Sequence, residues 1–540
     1  MITKTIKQFF FAGMVSCGVA AGLTACSDWD DHYENLASQA GSDQTLWQTI
    51  QKYPELSDFR EVLSKTKVFR YHKVSDISYA DLLDGKQSFT VLAPVNGSFD
   101  KESLLGLLST AVGDSIVVRS FIGNHLTYSQ VSNFEKPTEF FLLNSKRATI
   151  GNNEALSVPL QTSNIKAKGG ILHILQSTLP YRNNLYEVLL NDSRYNKIGE
   201  QLKSYEKDEF DPTKSIEGGM VDGELIYVDS VFNERNIMLE RVGRLADEDS
   251  SFMAVLPTND EWQRVWDEAM SHFVFDKTVV GADSLQRLYA NQALLNDAIF
   301  SRTIQSSPED SLITYNYDKR YPKYHVFYKP FQEGGIFYNT TPQEYSNGTL
   351  YTAEKWPFTP EMTYKREIKT EGERTSNIVG NTLCSYNTRI NTVDSLSVSE
   401  NEYLVITPSN MNAQWTMTFK IENTLATNYD ICAVVLPPTI YNPKADLKSC
   451  RINAEIIYID ENGNEKTEKI NTNFMNDPTR VDTLVIKENF KFPVCNYDQS
   501  NDKIKVKLKC NIMPGNKTYS REMFLDCIYL RPRKNTNTEQ

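Results

Sequence analysis

The sequence predicts a multidomain chain: two α+β units related by an internal repeat, followed by an all-β sandwich of jelly-roll type. Three observations lead there. The stretch Ser88-Phe89-Thr90-Val91-Leu92-Ala93-Pro94-Val95-Asn96-Gly97-Ser98-Phe99 recurs 163 residues later as Ser251-Phe252-Met253-Ala254-Val255-Leu256-Pro257-Thr258-Asn259-Asp260-Glu261-Trp262, with Ser, Phe, Pro and Asn at matching offsets. Apolar residues spaced by three and four surround each copy, which marks helices around a strand. In the last third the pattern becomes strict alternation, the period of half-buried strands. An internal repeat constrains architecture more than any local assignment does. A chain of 540 residues also exceeds what one core can hold.

The N-terminus reads as an address. Lys4 and Lys7 form a positive n-region, and Phe9 to Ala21 an apolar segment too short for a usual membrane span. It ends in Leu23-Thr24-Ala25-Cys26, which resembles a bacterial lipobox. That resemblance implies a signal peptide over 1–25 and a lipid on Cys26. The following Ser27-Asp28-Trp29-Asp30-Asp31 resembles the export signal of Bacteroidetes lipoproteins. Residues 26–42 are then a tether, and the expected location is the cell outer membrane, facing the exterior, held by lipid alone. A formal charge of -12 with no basic stripe excludes nucleic acid as a partner. It also gives no attraction to an acidic membrane surface. Hydrophobic content of 40% with 23% charge excludes wholesale disorder.

Taken in order, Leu46, Ile50, Leu56, Phe59, Val62 and Leu63 keep helical spacing, with Pro54 separating two helices. Tyr79 to Leu83 leads into the first box. Leu104 to Leu108 and then Val117, Phe121 and Ile122 predict further helices, ending at Asn124-His125-Leu126. Phe140 to Leu143, Ala148 to Ile150 and Ala155 to Val158 read as strands. Asn164 to Leu175 closes the unit, with Gly169-Gly170 turning one strand into the next.

These motifs carry a resemblance. The Ala93-Pro94-Val95-Asn96-Gly97-Ser98-Phe99 box, the central Asn124-His125 and the closing Gly169-Gly170-Ile171-Leu172-His173-Ile174 with Leu179-Pro180 resemble a fasciclin (FAS1) domain over 43–182. The resemblance implies that the two boxes are adjacent strands in a compact core wrapped by helices. A second, divergent fasciclin-like unit spans 183–358, with inserts around 203–223 and 305–324. There Tyr351 stands where the family has its closing histidine, and Asn296 lies near the place of Asn124-His125. Leu285, Leu288, Leu294, Leu295, Ile299 and Phe300 read as helical. A polar linker follows, and the sandwich occupies 378–540.

His125 and His173 could form an acid–base or metal pair, or bond backbone as structural residues. The second copy lacks both, which favours structure. GxSxG, HExxH and P-loop patterns are missing, so the chain is expected to be no enzyme and to need no cofactor or metal. Asp460-Glu461-Asn462-Gly463 reads as a hairpin turn before it reads as a calcium loop. Cys384, Cys432, Cys450, Cys495, Cys510 and Cys527 all fall in the sandwich, where disulfides and buried thiols are both open. Tyr338, Tyr345, Tyr351, Trp356 and Phe358 crowd one segment. Buried, they are a seam against the sandwich; exposed, Tyr338, Tyr345 and Trp356 are the candidate ligand contacts. The family resemblance implies surface adhesion or recognition as an accessory of a SusC/SusD-like glycan uptake system, with a glycan or an outer-membrane protein as partner. The alternatives are a carbohydrate-binding protein with its site on the sandwich, and a structural subunit of an outer-membrane complex.

Overall fold

The computed structural model describes residues 43–70, 73–108, 110–221, 224–229, 231–305, 307–316 and 325–534. Cys26 and the whole of the tether, 26–42, lie outside the described residues. The first repeat centres on seven strands: β1 (Phe89–Pro94), β2 (Leu126–Thr127), β3 (Thr138–Phe141), β4 (Arg147–Gly151), β5 (Glu154–Ala155), β6 (Val158–Ala167) and β7 (Gly170–Leu175). Their spatial order is β2-β1-β7-β6-β5-β4-β3. The two boxes, β1 and β7, lie side by side and parallel, with Phe89 opposite Gly170 and Leu92 opposite His173. Every residue of β1 is buried, which explains its unbroken apolar run. Gly169, at φ +82°, turns β6 into β7, and a Cβ on Gly170 would sit 2.0 Å from the Phe89 carbonyl oxygen.

The second repeat uses the same plan with fewer strands. β8 (Phe252–Pro257), β9 (Ile299–Ser301), β10 (Thr340–Tyr345) and β11 (Gly348–Ala353) form a sheet in the order β9-β8-β11-β10. β8 and β11 are parallel, with Phe252 opposite Gly348 and Val255 opposite Tyr351. Tyr351 thus takes the register of His173. Ile299 faces Ala254 as Leu126 faces Val91, so Asp297-Ala298 holds the place of Asn124-His125. Asn296 is one residue early. Ile299 and Phe300, expected in a helix, lie on β9, because a short buried strand has no periodicity to separate it from a helix turn. The first insert forms two hairpins, Glu206–Phe210 with Phe232–Asn236 and Ile216–Val221 with Glu224–Asp229.

The box asparagine acts as a clasp in both copies. Each repeat opens with two helices, α1 (Leu46–Ile50) and α2 (Ser57–Lys65) in the first, α3 (Leu185–Asn191) and α4 (Asn196–Lys203) in the second. Asn96 donates to the Pro54 carbonyl (3.1 Å) and Ser57 Oγ (2.9 Å), and accepts the Asp58 N–H (2.9 Å). Asn259 donates to the Ser193 carbonyl (2.7 Å) and Asn196 Oδ1 (2.6 Å), and accepts the Lys197 N–H (3.1 Å). The residue expected to set a local turn therefore ties the end of the box strand to the opening helix pair. Asn259→Ala is expected to cost about 1–2 kcal/mol in chemical denaturation, and Asn96→Ala less, since Asn96 is exposed and water replaces its partners.

The sandwich is built from β12 (Ile368–Glu371), β13 (Ile378–Thr382), β14 (Cys384–Ile390), β15 (Glu402–Pro408), β16 (Thr416–Lys420), β17 (Asn428–Val435), β18 (Arg451–Ile459), β19 (Glu465–Met475), β20 (Asp482–Lys491), β21 (Lys505–Cys510) and β22 (Met523–Pro532). One sheet runs β14-β15-β22-β17-β20, with β12 added along β22; the other runs β13-β16-β21-β18-β19. Trp415, Met417, Phe419, Ile456, Val506 and Ile528 are buried in the core. β12 falls in the segment expected to be a linker. Its Thr370 and Glu371 are buried polar residues, and an apolar pattern cannot reveal a strand that buries such groups. All six described cysteines are free thiols, five of them buried.

The two junctions differ in chemistry. Between the repeats, buried Lys146 donates to Glu187 Oε2 (3.0 Å), Glu248 Oε1 (2.6 Å) and Ser346 Oγ (3.3 Å). Glu187 also accepts from Arg119, the Tyr181 hydroxyl (2.5 Å) and the Asn184 N–H (2.9 Å). Between the second repeat and the sandwich the contact is aromatic: Tyr497 meets Phe273 at 5.2 Å and Tyr289 at 5.0 Å, edge to face. Lys503 pairs with buried Asp276 at 3.2 Å. The Asp460–Asn464 hairpin docks here as well, since a Cβ on Gly463 (φ +80°) would lie 2.6 Å from Thr278 Cγ2. Asp460 accepts the Asn462 and Asn464 N–H groups, so this loop is the turn the sequence suggested.

Candidate functional site

The histidines of the first repeat are spent on the scaffold. His125 Nδ1 donates to the Phe121 carbonyl (2.7 Å), while its Nε2 accepts the Leu179 N–H (3.0 Å). Burial lowers its pKa to about 4, which keeps the ring neutral. His173 Nε2 donates to the Val131 carbonyl (2.9 Å), and its Nδ1 accepts the Asn164 N–H (3.3 Å). Both nitrogens of both rings are occupied.

The aromatic candidates separate by burial. Trp356 is half-buried, edge-on to Trp262 at 6.3 Å and beside Phe358 at 5.0 Å, within the core of the second repeat. Tyr345 is half-buried at the β10–β11 turn, and burial raises its pKa. Tyr338 is 45% exposed. The seam against the sandwich is formed by Phe273, Tyr289 and Tyr497 instead of this segment.

The polar groove with the most chemistry lies where α5 (Ala282–Leu295), β12 and the loop after β16 converge. Its volume is about 740 Å³. Tyr289 and Tyr497 contribute to the lining, together with charged side chains held in pairs and neutral polar residues such as Gln292 and Asn423. Arg374 grips Glu400 through both carboxylate oxygens (2.6 and 2.8 Å), Lys420 pairs with Glu422 (2.6 Å), and Lys369 donates to Ser399 Oγ (3.1 Å). Arg366 donates to buried Asp297 (3.0 Å), the residue that replaces Asn124 of the first copy. Adjacent donors and acceptors beside tyrosine rings suit a ligand rich in hydroxyl groups, since each hydroxyl both donates and accepts.

One wall leads into a buried acidic cluster. The β12–β22 pairing sets Glu371 opposite Cys527, and the Gly372 N–H donates to the Asp526 carbonyl (2.8 Å). A carboxylate oxygen each of Glu371 and Asp526 and the Cys527 sulfur lie within 4.8 Å of one another. Ser399 donates through Oγ to Glu371 Oε1 (2.8 Å) and through its N–H to Asp526 Oδ1 (3.0 Å). Glu371 Oε2 and both carboxylate oxygens of Glu373 accept no hydrogen bond from another residue, although all three are buried. Burial raises the Glu371 and Asp526 pKa values. It brings Glu373 to about 7, with the charges of Glu371, Glu400 and Asp526 adding to the effect. Uncompensated buried carboxylates are costly. A hard divalent cation of the calcium class would supply what Glu371 lacks, with Glu371 and Asp526 as its oxygen ligands and Glu373 adding negative charge nearby. Burial and the neighbouring Asp526 and Glu371 charges push the Cys527 thiol pKa up. The sequence reading named no metal here. Glu371-Gly372-Glu373 and Asp526 are far apart in the chain, and only the register of β12 on β22 brings them together.

No family model matches the chain, and no curated protein is similar to it. Several solved structures are similar to parts of it at low TM-score. A xanthan lyase from Paenibacillus is 14% identical over 35% of this chain and 16% of the lyase, with a TM-score of 0.22. The chain thus spans less than a fifth of that enzyme. A FAS1 domain pair from the insect cell adhesion molecule fasciclin I is 10% identical over 51% of this chain and 90% of the pair, at 0.18. The C-terminal family 6 carbohydrate-binding module of a laminarinase from Zobellia galactanivorans is 12% identical over 31% of this chain and 99% of the module, at 0.17. Scores this low carry no argument about function. Among the described residues no helix is long and apolar enough to cross a membrane.

Proposed function

We propose that the chain is a surface-anchored recognition protein that binds an extracellular glycan in the groove between the second repeat and the sandwich, without turning it over. The observation that supports this most is the groove itself: paired charged side chains and tyrosines, next to a cluster that a divalent cation would hold rigid. In contrast, the box asparagines Asn96 and Asn259 and the first repeat's His125 and His173 are consumed by backbone and helix contacts. In this reading Cys26 carries the lipid, residues 26–42 give reach from an outer membrane, and a SusC/SusD-like uptake system is the context.

A second reading, docking onto an outer-membrane protein, is favoured by the exposed Phe134 and Phe141 around a hollow of about 510 Å³ on the first repeat. A glycan array probed with the lipid-free protein and with an Arg374→Ala/Glu422→Ala variant tests the first reading. Binding by the parent is expected to fall at least ~10-fold in the variant, at unchanged melting temperature. Equal binding by the two proteins would refute the groove.

A further inference from the structure

The outer face of the β13-β16-β21-β18-β19 sheet is a field of lysines. Along β21, Val506, Leu508 and Cys510 enter the core, and Lys505, Lys507 and Lys509 take the opposite face. The register places Lys420 beside Lys505, Thr418 beside Lys507 and Thr416 beside Lys509. On the other side of β21 stand Ile457, Glu455 and Asn453, and Lys469 of β19 lies opposite Glu455. Directly opposite residues share a face, so five lysines occupy one side of four neighbouring strands, about 14 Å across.

Glu455 is the acid inside this field. It is shared between Lys509 (3.0 Å) and Lys507 (3.5 Å), and although burial opposes its charge, these lysines hold its pKa down. Glu422 and Glu465 at the rim pair with Lys420 (2.6 Å) and Lys505 (3.1 Å). Five lysines against three glutamates leave the face cationic on a chain of formal charge -12. Folding alone gives no reason for this, because Lys420 directly opposite Lys505 is a destabilising like-charge pair. At physiological salt charges are screened over about 8 Å, less than the ~10 Å between the two sheets. A ligand at this face therefore meets the lysines and little of the acidic remainder.

We propose that this sheet face binds an anionic polysaccharide, a chain bearing carboxylate or sulfate groups, laid flat across β16, β21, β18 and β19. Charge complementarity selects the occupant, and Thr416, Thr418 and Asn453 between the lysines offer partners for its hydroxyls. The inference rests on the glycan-recognition reading above and assigns it a ligand class and a second surface, which meets the groove at Lys420 and Glu422.

The test uses the full chain with alginate, dextran sulfate and uncharged dextran as probes, at low and high salt. Both polyanions are expected to bind, with binding falling steeply as salt rises, and dextran is not. Lys507→Glu/Lys509→Glu is expected to weaken polyanion binding at least ~10-fold at unchanged melting temperature. Lys505→Gln/Lys507→Gln, which removes charge without reversing it, is expected to flatten the salt dependence. Equal polyanion binding by parent and charge-reversed protein overturns the proposal. So does binding of anionic lipid vesicles as tight as that of alginate and lost in the same variant, which would make the face a lipid surface. A neutral glycan bound by parent and variant alike, with no polyanion bound by either, overturns the lysine face and leaves the groove standing.

Discussion

Lys146→Met is expected to destabilise the junction between the repeats by about 3–5 kcal/mol, the range for breaking a buried ion pair from one side. Lys146, Glu187 and Glu248 are all buried, and the substitution strands two carboxylates with only Arg119, Tyr181 and Asn184 to meet them. At roughly 2–4 °C per kcal/mol, thermal unfolding of that part of the chain shifts down by ~10 °C. Lys146→Met/Glu187→Gln/Glu248→Gln is expected to recover much of the loss, because the charge has gone together with its counter-charge. Burial raises the pKa of Glu187, but the Tyr181 hydroxyl and the Lys146 charge outweigh it, so the net shift is downward. The stability this contributes is present above the unfolded value of 4.5 and is lost as pH falls through the lower folded value. A Lys146→Met protein that melts within a degree or two of the parent would refute this account of the junction.

Calcium is expected to raise the melting temperature of the sandwich, and chelation to lower it. At a concentration a hundred times its dissociation constant a bound ion contributes about 2.7 kcal/mol, which corresponds to ~5–10 °C here. The pH dependence has a sign of its own. Glu371, Glu373 and Asp526 all have folded pKa values raised above their unfolded ones, so without a cation the stability these three contribute is fully present below the unfolded carboxylate range and is lost as pH rises towards about 7, where Glu373 titrates. With calcium the trend reverses, since protons then compete with the ion. Glu371→Gln is expected to melt higher than the parent in chelator and to lose most of its response to calcium. Differential scanning fluorimetry across pH, with calcium and with chelator, reads all of this; a melting temperature indifferent to calcium and chelator at neutral pH would sink the assignment.

The parts of this molecule legible in sequence are those where one physical rule acts alone. The Phe89 and Phe252 boxes are buried on both faces, so their apolar runs and their glycine-bearing partners could be paired by eye. In the sandwich, Trp415 to Ile421 alternate because one face is wet. The site was less legible because it is assembled from polar residues at long range. β12 buries Thr370 and Glu371, which reads as linker, and Asp526 reaches Glu371 only through a register no spacing encodes. Asn96 was visible as a turn residue, but its hold on Pro54, Ser57 and Asp58 depends on how the helices pack against the strand. The crowded aromatics divide for the same reason: sequence density says nothing about which side of a core a ring occupies, and Trp356 turns inward onto Trp262 while Tyr338 stays exposed.

A crystal structure of the chain soaked with the strongest neutral glycan from the array would test the central claim most directly. The account predicts sugar density along the groove, within hydrogen-bond distance of Arg374, Lys420 and Glu422. Density over Phe134 and Phe141 of the first repeat, with the groove empty, would contradict it.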